Sequence, residues 1–274
     1  MRIRFSRVPV LVAGLACALA GTAGAQTPAA APSRNVWVQA LTGLNALNTA
    51  SVVYSGLGTA IISGNTLQPV SAFRVAINYG MEMLAVEVDQ AEKPHHLGQY
   101  LAEGKAWDVV EKKLVARPTT VAERVRLIAM TPQGVMKAAQ DAGTKRVMAD
   151  EMLDGTRVTT MTIPVGTARL KAYFDDKTMI TRVHTLSGDG SAGKDVVEFL
   201  YSGYRNYDTL TPLLGPPPGG AASAMAYGGI PFPSHIVQKV NGAVILDIGL
   251  TEVVLNQGVT IEVPPSVERA HARK

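Results

Sequence analysis

Two runs rich in β-branched and apolar residues, 235–240 (HIVQKV) and 243–254 (AVILDIGLTEVV), are joined by Asn241-Gly242. Asn-Gly tolerates the positive φ that both central positions of a type I′ turn require, so the segment predicts a β-hairpin. Such a turn commits its strands to antiparallel pairing, because parallel neighbours would need a crossover of a dozen or more residues between them. The same pattern recurs along the chain. Runs at 52–55 and 59–62 read as short strands broken by Gly56, Gly58 and Gly64. Those at 73–79 and 83–88 alternate at about period two around Gly80, and 100–102 with 105–110 form a second hairpin candidate at Glu103-Gly104. Further strands are predicted at 157–163, 167–174, 179–185 and 196–204, separated by turn residues such as Asp154-Gly155 and Asp175-Asp176-Lys177. Regular short strands with tight connections favour a meander over βαβ units.

Helical periodicity appears in two places only. The first is 34–47, where Trp37, Leu41, Leu44 and Leu47 share a face at three- and four-residue spacing. The second interrupts the strands. Thr120 with Glu123 fits a capping box ahead of Val121, Val125 and Ile128. Thr131-Pro132 then starts a second helix, with Thr131 as cap and Pro132 in the first turn, and Gly143 ends it. The residues from 265 to 274 read as a frayed polar tail.

The N-terminus carries an export signal: Arg2, Arg4 and Arg7, an apolar and small-residue run from 8 to 20, and the small-x-small site Ala23-Gly24-Ala25. Cleavage there leaves a leader, QTPAAAPS at 26–33, with no means of packing, and a single domain from 34 to 264. The destination is the periplasm or the exterior. The run is too short for a membrane span, which takes roughly 20 apolar residues. Cys17 is the only cysteine, and Gly14 stands where a lipoprotein signal carries a Leu-like residue. An ordinary signal cysteine, cut away, is the preferred reading. The whole chain has a net charge of +4, but losing three arginines leaves 23 basic against 22 acidic residues. Bulk charge therefore gives no argument for nucleic acid or an anionic membrane as partner.

One stretch breaks the rhythm. TLTPLLGPPPGGAASAMAY, 209–227, is too long for an ordinary connection. Leu210, Leu213, Leu214, Met225 and Tyr227 could fold it over an apolar opening as a lid or partner-binding loop; the alternative is a tolerated insertion.

Catalytic and metal-binding patterns are sparse. His95-His96 would point to opposite faces of a strand, so a solvated pair is expected rather than two ligands of one metal. His184 and His235 stand alone in strands, and His271 lies near the C-terminus. Gly188 to Gly193 matches G-x-G-x-x-G by letters, but a strand follows it where a dinucleotide site needs a helix. No cofactor or metal is expected, and no enzymatic activity. Met81, Met83, Met130, Met136, Met148, Met152, Met161 and Met179 are many flexible thioethers, suited either to an irregular apolar ligand or to filling a core. Core is the preferred reading.

Trp107-Asp108 on a strand, TPQGVMKAA at 131–139, and VEFLYSGYRNYD at 197–208 followed by GGIPFPSHIVQ at 228–238 resemble a domain of exported bacterial proteins. That domain typically precedes a metallo-β-lactamase-fold hydrolase. Its architecture is similar to the periplasmic lipoprotein carriers of the LolA/LolB type. The resemblance spans 36–256. The hydrolase portion, with its H-x-H-x-D-H motif, is missing, and the insertion at 209–227 splits the family's join between the two C-terminal motifs.

Residues and resemblance together imply an α+β fold, mainly antiparallel β. It is a curved, unclosed half-barrel with an N-terminal helix, and a two-helix insertion covers its concave face. The expected function is non-catalytic binding of an apolar ligand, either a small molecule or an acylated protein such as a lipoprotein being sorted to the outer membrane. Trp107, Leu127, Met130 and Met136 are the expected lining. The alternative is an accessory module with a solid core that partners a separately encoded hydrolase.

Overall fold

The computed structural model describes residues 35–62, 64–91, 95–115, 120–153, 155–186, 195–207 and 229–272. The signal, the leader, the Gly188–Gly193 loop and the 209–227 insertion with its five apolar side chains lie outside the described residues.

Alternating side chains dictate a sheet with one buried face, and thirteen strands join into one antiparallel sheet. In chain order they begin β1 (Ser51–Ala60), β2 (Gln68–Asn78), β3 (Met83–Gln90), β4 (His96–Ala102), β5 (Lys105–Val110) and β6 (Lys113–Leu114). Helices α1 (Asn35–Gly43), α2 (Val121–Met130) and α3 (Pro132–Ala142) precede or follow these. The strands resume with β7 (Val147–Leu153), β8 (Thr156–Val165), β9 (Ala168–Phe174), β10 (Ile180–Thr185) and β11 (Val197–Ser202). After them come β12 (Arg205–Tyr207), β13 (Ile230–Phe232), β14 (His235–Val240), β15 (Ala243–Leu255) and α4 (Pro265–Ala272).

The spatial order is β6-β5-β4-β3-β2-β1-β15-β14-β11-β10-β9-β8-β7, while β12 and β13 form a separate two-stranded ribbon. The chain thus walks from the centre to one edge, crosses through α2 and α3 to the opposite edge, and walks back. The hairpin of β14 and β15 fills the centre by pairing with both halves. Because β6 and β7 are edges rather than partners, the curved sheet does not close. The two helices that connect those edges must cross its concave face.

The turn chemistry matches the backbone. Asn241 and Gly242 have φ of 51° and 83°, as a type I′ turn needs, and Glu103 and Gly104 have 51° and 67°. Thr120 and Glu123 close a reciprocal capping box, and Thr131 accepts from Gly134 N at the start of α3.

Four local expectations differ. The runs at 52–55 and 59–62 form one strand, β1, with register shifts at Gly56 and Gly58 rather than a break. Gly56 is there because a Cβ would lie 2.5 Å from Gly249 O. Leu47 is 51% exposed, because the helix stops at Gly43 and a short 3₁₀ turn follows. The short edge strand β6 and the ribbon strands β12 and β13 carried no period long enough to read. The polar tail is the helix α4, and its Val267 is buried at 4% exposure against the convex face.

Candidate apolar binding site

Strand alternation turns Tyr54 of β1, Val75 of β2, Val86 of β3 and Gln99 of β4 to the concave side, paired in one row across the sheet. Phe73, Val88 and Leu97 form the next row towards one end, and Ile77 and Leu84 lie towards the other. Beneath α2 these side chains enclose a cavity of about 200 Å³, completed by Phe199 and Tyr201 of β11, Ile236 and Gln238 of β14 and Leu246 of β15. An apolar void of about 150 Å³ already takes up benzene. Ile77, Leu84 and Ile236 are essentially buried, whereas Ile61, Ile62, Leu97, Phe199, Gln238 and Ile245 are half-buried. The half-buried group gathers at the end of the sheet that carries the Asn241-Gly242 turn. Among the described residues that line the cavity, none is charged.

The roof is held at both ends. At its C-terminal end α2 meets α3 at Thr131, whose hydroxyl donates to Ile128 O at 2.8 Å. With that proton committed, the Tyr79 hydroxyl is the donor in its 3.0 Å bond to Thr131 Oγ1. Tyr201 donates to Met130 O at 2.9 Å, and Gln133 Nε2 donates to Pro231 O at 2.8 Å. Gly134 allows this junction to be tight, since a Cβ there would lie 2.0 Å from Ile128 O. Burial pushes the Tyr79 and Tyr201 hydroxyls well above the usual phenol range. They stay protonated as donors.

Nearer its N-terminus, α2 is held by charge. Arg124, 2% exposed, is ion-paired with Asp108 of β5 and donates to Gln99 Oε1 of β4 at 2.9 Å. A cation this dry needs partners of this kind, because unpaired it would not be tolerated.

Of the residues singled out from sequence, Leu127 lines the cavity. Met130 and Met136 are completely buried in the main core and do not border it. Trp107 sits on the opposite face of the sheet, because β5 turns Ala106 and Asp108 inwards. It stacks on Tyr100 at 5.3 Å and packs with Met83, Ala102 and Val267 of α4. The lining strand residues Tyr54, Phe73, Ile77 and Leu84 were not singled out from sequence, although the alternation in FRVAINY and MLAVEV is a signal for the last three.

The histidines take separate partners: His95 pairs with Glu111, and His96 Nδ1 lies 2.8 Å from Asp89 Oδ1. Among the described residues no group of three His, Cys, Asp or Glu side chains could hold a metal. Ser202 Oγ, His235 and Asp247 run in hydrogen-bonded order, at 3.3 Å to Nδ1 and 2.7 Å from Nε2. They occupy the convex side, since their strand neighbours Tyr201, Ile236 and Leu246 face the cavity. Among the described residues they lie half-exposed on the strand surface. No described helix is long and apolar enough to cross a membrane.

No protein-family model matches the chain, and the comparison with curated proteins finds no match. Similar solved structures include a LolA superfamily protein from Nitrosomonas europaea, at 11% identity and a TM-score of 0.47, covering 87% of this chain and 97% of that one. A DUF1329 family protein from Desulfovibrio piger gives 8% identity and a TM-score of 0.45, covering 84% and 96%. LprF from Mycobacterium bovis gives 9% and 0.31, covering 86% and 99%. At these scores and identities the likenesses transfer neither ligand nor activity. None of these three is described as preceding a metallo-β-lactamase-fold hydrolase, so that association remains an implication of the resemblance.

Proposed function

We propose that the chain is an exported, non-catalytic binding protein that holds an apolar ligand, an acyl chain or lipoprotein tail, in the cavity beneath α2. The observation that carries this reading is the cavity itself: a concave strand face lined by aliphatic and aromatic side chains, roofed by one helix and left unfilled. A well-packed core has few voids larger than a water molecule. Burying six methylenes contributes roughly 5 kcal/mol before the cost of association, enough for a weak but useful grip on a short acyl segment. The basic and apolar N-terminal segment with its cleavage site near Ala25 supports action in the periplasm or outside the cell.

The test is ligand uptake by the delipidated protein, read by native mass spectrometry with dodecanoate and a dodecanoylated peptide. One ligand per chain is expected. Val86→Trp, which places an indole in the cavity, is expected to lose uptake while melting at the wild-type temperature or above. Absence of uptake of both probes by the wild type would overturn the reading.

A further inference from the structure

We infer that the part of the ligand enclosed by this cavity includes a neutral hydrogen-bond acceptor, an ester or amide carbonyl, and that Tyr54 selects it. This inference rests on the apolar-ligand reading and adds a polar requirement to it.

Three tyrosines and a threonine bring hydroxyls to the inner wall of the cavity and the helix junction. Tyr79, Tyr201 and Thr131 are committed to one another or to main-chain carbonyls. The Tyr54 hydroxyl makes no hydrogen bond among the described residues, although the residue is only 7% exposed. It is not among the polar atoms that the protein seals completely, and Tyr54 lines the cavity, so the open space it meets is that of the cavity. Buried hydroxyls without partners are rare because dehydrating them is costly. The ring cannot swing away to find water elsewhere, since it is wedged between Phe73 at 6.1 Å and Phe232 at 5.3 Å. Phe232 is fully buried. In the empty cavity a water can serve the hydroxyl. A ligand that supplies an acceptor replaces that water, whereas a bare hydrocarbon strands the donor.

The acceptor must also be neutral. Among the described lining residues no cation stands ready to offset a carboxylate that has lost its hydration. Arg124, which reaches the rim through Gln99, is already paired with Asp108. Burial, with the neighbouring Tyr79 adding to it, pushes the Tyr54 hydroxyl far above the usual phenol range, so it stays protonated and has its proton to donate.

Ligand-observed NMR titration with methyl hexanoate, n-heptane and hexanoate tests this in wild type and Tyr54→Phe. In the wild type the ester is expected to bind about 3- to 10-fold tighter than heptane, the gain of one hydrogen bond made in place of a stranded donor. Hexanoate is expected to bind weakest. Tyr54→Phe, which leaves no donor to strand, should weaken the ester and tighten heptane until the ester's advantage is gone, and the retained heptane binding also shows that the variant is folded. Equal binding of ester and heptane in the wild type would overturn the inference while leaving the apolar-ligand reading standing. So would an unchanged ester preference in Tyr54→Phe, or loss of both ligands together. If none of the three probes binds the wild type, the apolar-ligand reading fails and the inference falls with it.

Discussion

The two halves of the sheet are covered differently. Over β7–β10 lie α3, which packs on β8, and α1, whose Gly43 approaches Met179 just before β10. The guanidinium of Arg146, after α3, sits 4.3 Å from the ring centroid of Trp37 in α1 and joins the two covers. Met136 and Ala139 of α3 and, beneath them, Met161, Ile163, Leu170, Ala172, Ile180 and Val183 are completely buried, and none of β7–β10 contributes to the cavity lining. Over β1–β4 lie α2 and, against Tyr54, Phe232 of β13, and there the described residues leave a cavity on the concave face. The same chain therefore builds a solid core and a cavity on one continuous sheet. Three methionines, Met130, Met136 and Met161, are completely buried in the main core and do not line the cavity, as flexible thioethers suited to irregular gaps can be.

The largest effect should come from breaking the buried ion pair that anchors α2. Asp108→Ala removes a carboxylate partner of a dry guanidinium and should cost about 3–5 kcal/mol in urea unfolding. A loss within experimental error of zero would mean that packing alone holds α2, and that the roof differs from α3 only in what lies beneath it.

The second contrast tests the division itself. Met161→Ala, in the solid half, opens a new void and should cost about 2–5 kcal/mol. Val86→Ala only enlarges a space that already exists, so it should cost about 1 kcal/mol or less, mostly the lost transfer term of two methyl groups. Equal losses in the two halves, measured by the same denaturant titration, would remove the distinction between them.

How much of this was legible beforehand follows from the same physics. The hairpin at Asn241-Gly242, the capping box at Thr120 and the Thr131-Pro132 junction are local events, set by a few adjacent residues, and each appears where the sequence predicts it. The antiparallel meander was legible too, because alternation and turn spacing imply it, whereas the unclosed sheet with helices across its concave face is what the resemblance implies. The lining was not legible. It depends on which strand face each residue takes and on what lies over that face, both tertiary facts. Trp107 shows the first: a single-residue phase in β5 puts it on the convex face. Met130 and Met136 show the second, since a helix face is core or lining according to what lies opposite. Val267 shows a third, because an eight-residue helix with one large apolar side chain gives no period from which to read its burial.

The smallest predicted effect lies at the seam between the halves, where the cleft between the α2–α3 pair and the β8–β9 turn holds Lys137. Its ammonium lies 5.7 Å from the Tyr79 ring centroid, and burial lowers its pKa below the ordinary 10.5, with Asp141 acting in the opposite sense. Between the lowered value and the ordinary one, the unfolded chain holds the Lys137 proton when the folded chain does not, so the contribution of this group to stability rises with pH across that window. Below the window both states are protonated, and the cost of the partly dry charge is fully present. Lys137→Met keeps the aliphatic stem against Tyr79 and removes the charge. It should therefore raise stability slightly near neutral pH, and that gain over the wild type should shrink towards pH 10.5, read as the difference between the two unfolding midpoints at each pH. The buried tyrosines lower stability in the same range, but they are common to both proteins and cancel in the difference. If the gain does not shrink with pH, Lys137 is not the group that titrates at the seam. If the variant is less stable at neutral pH, the ammonium is held by Asp141 and the Tyr79 ring more strongly than burial opposes it.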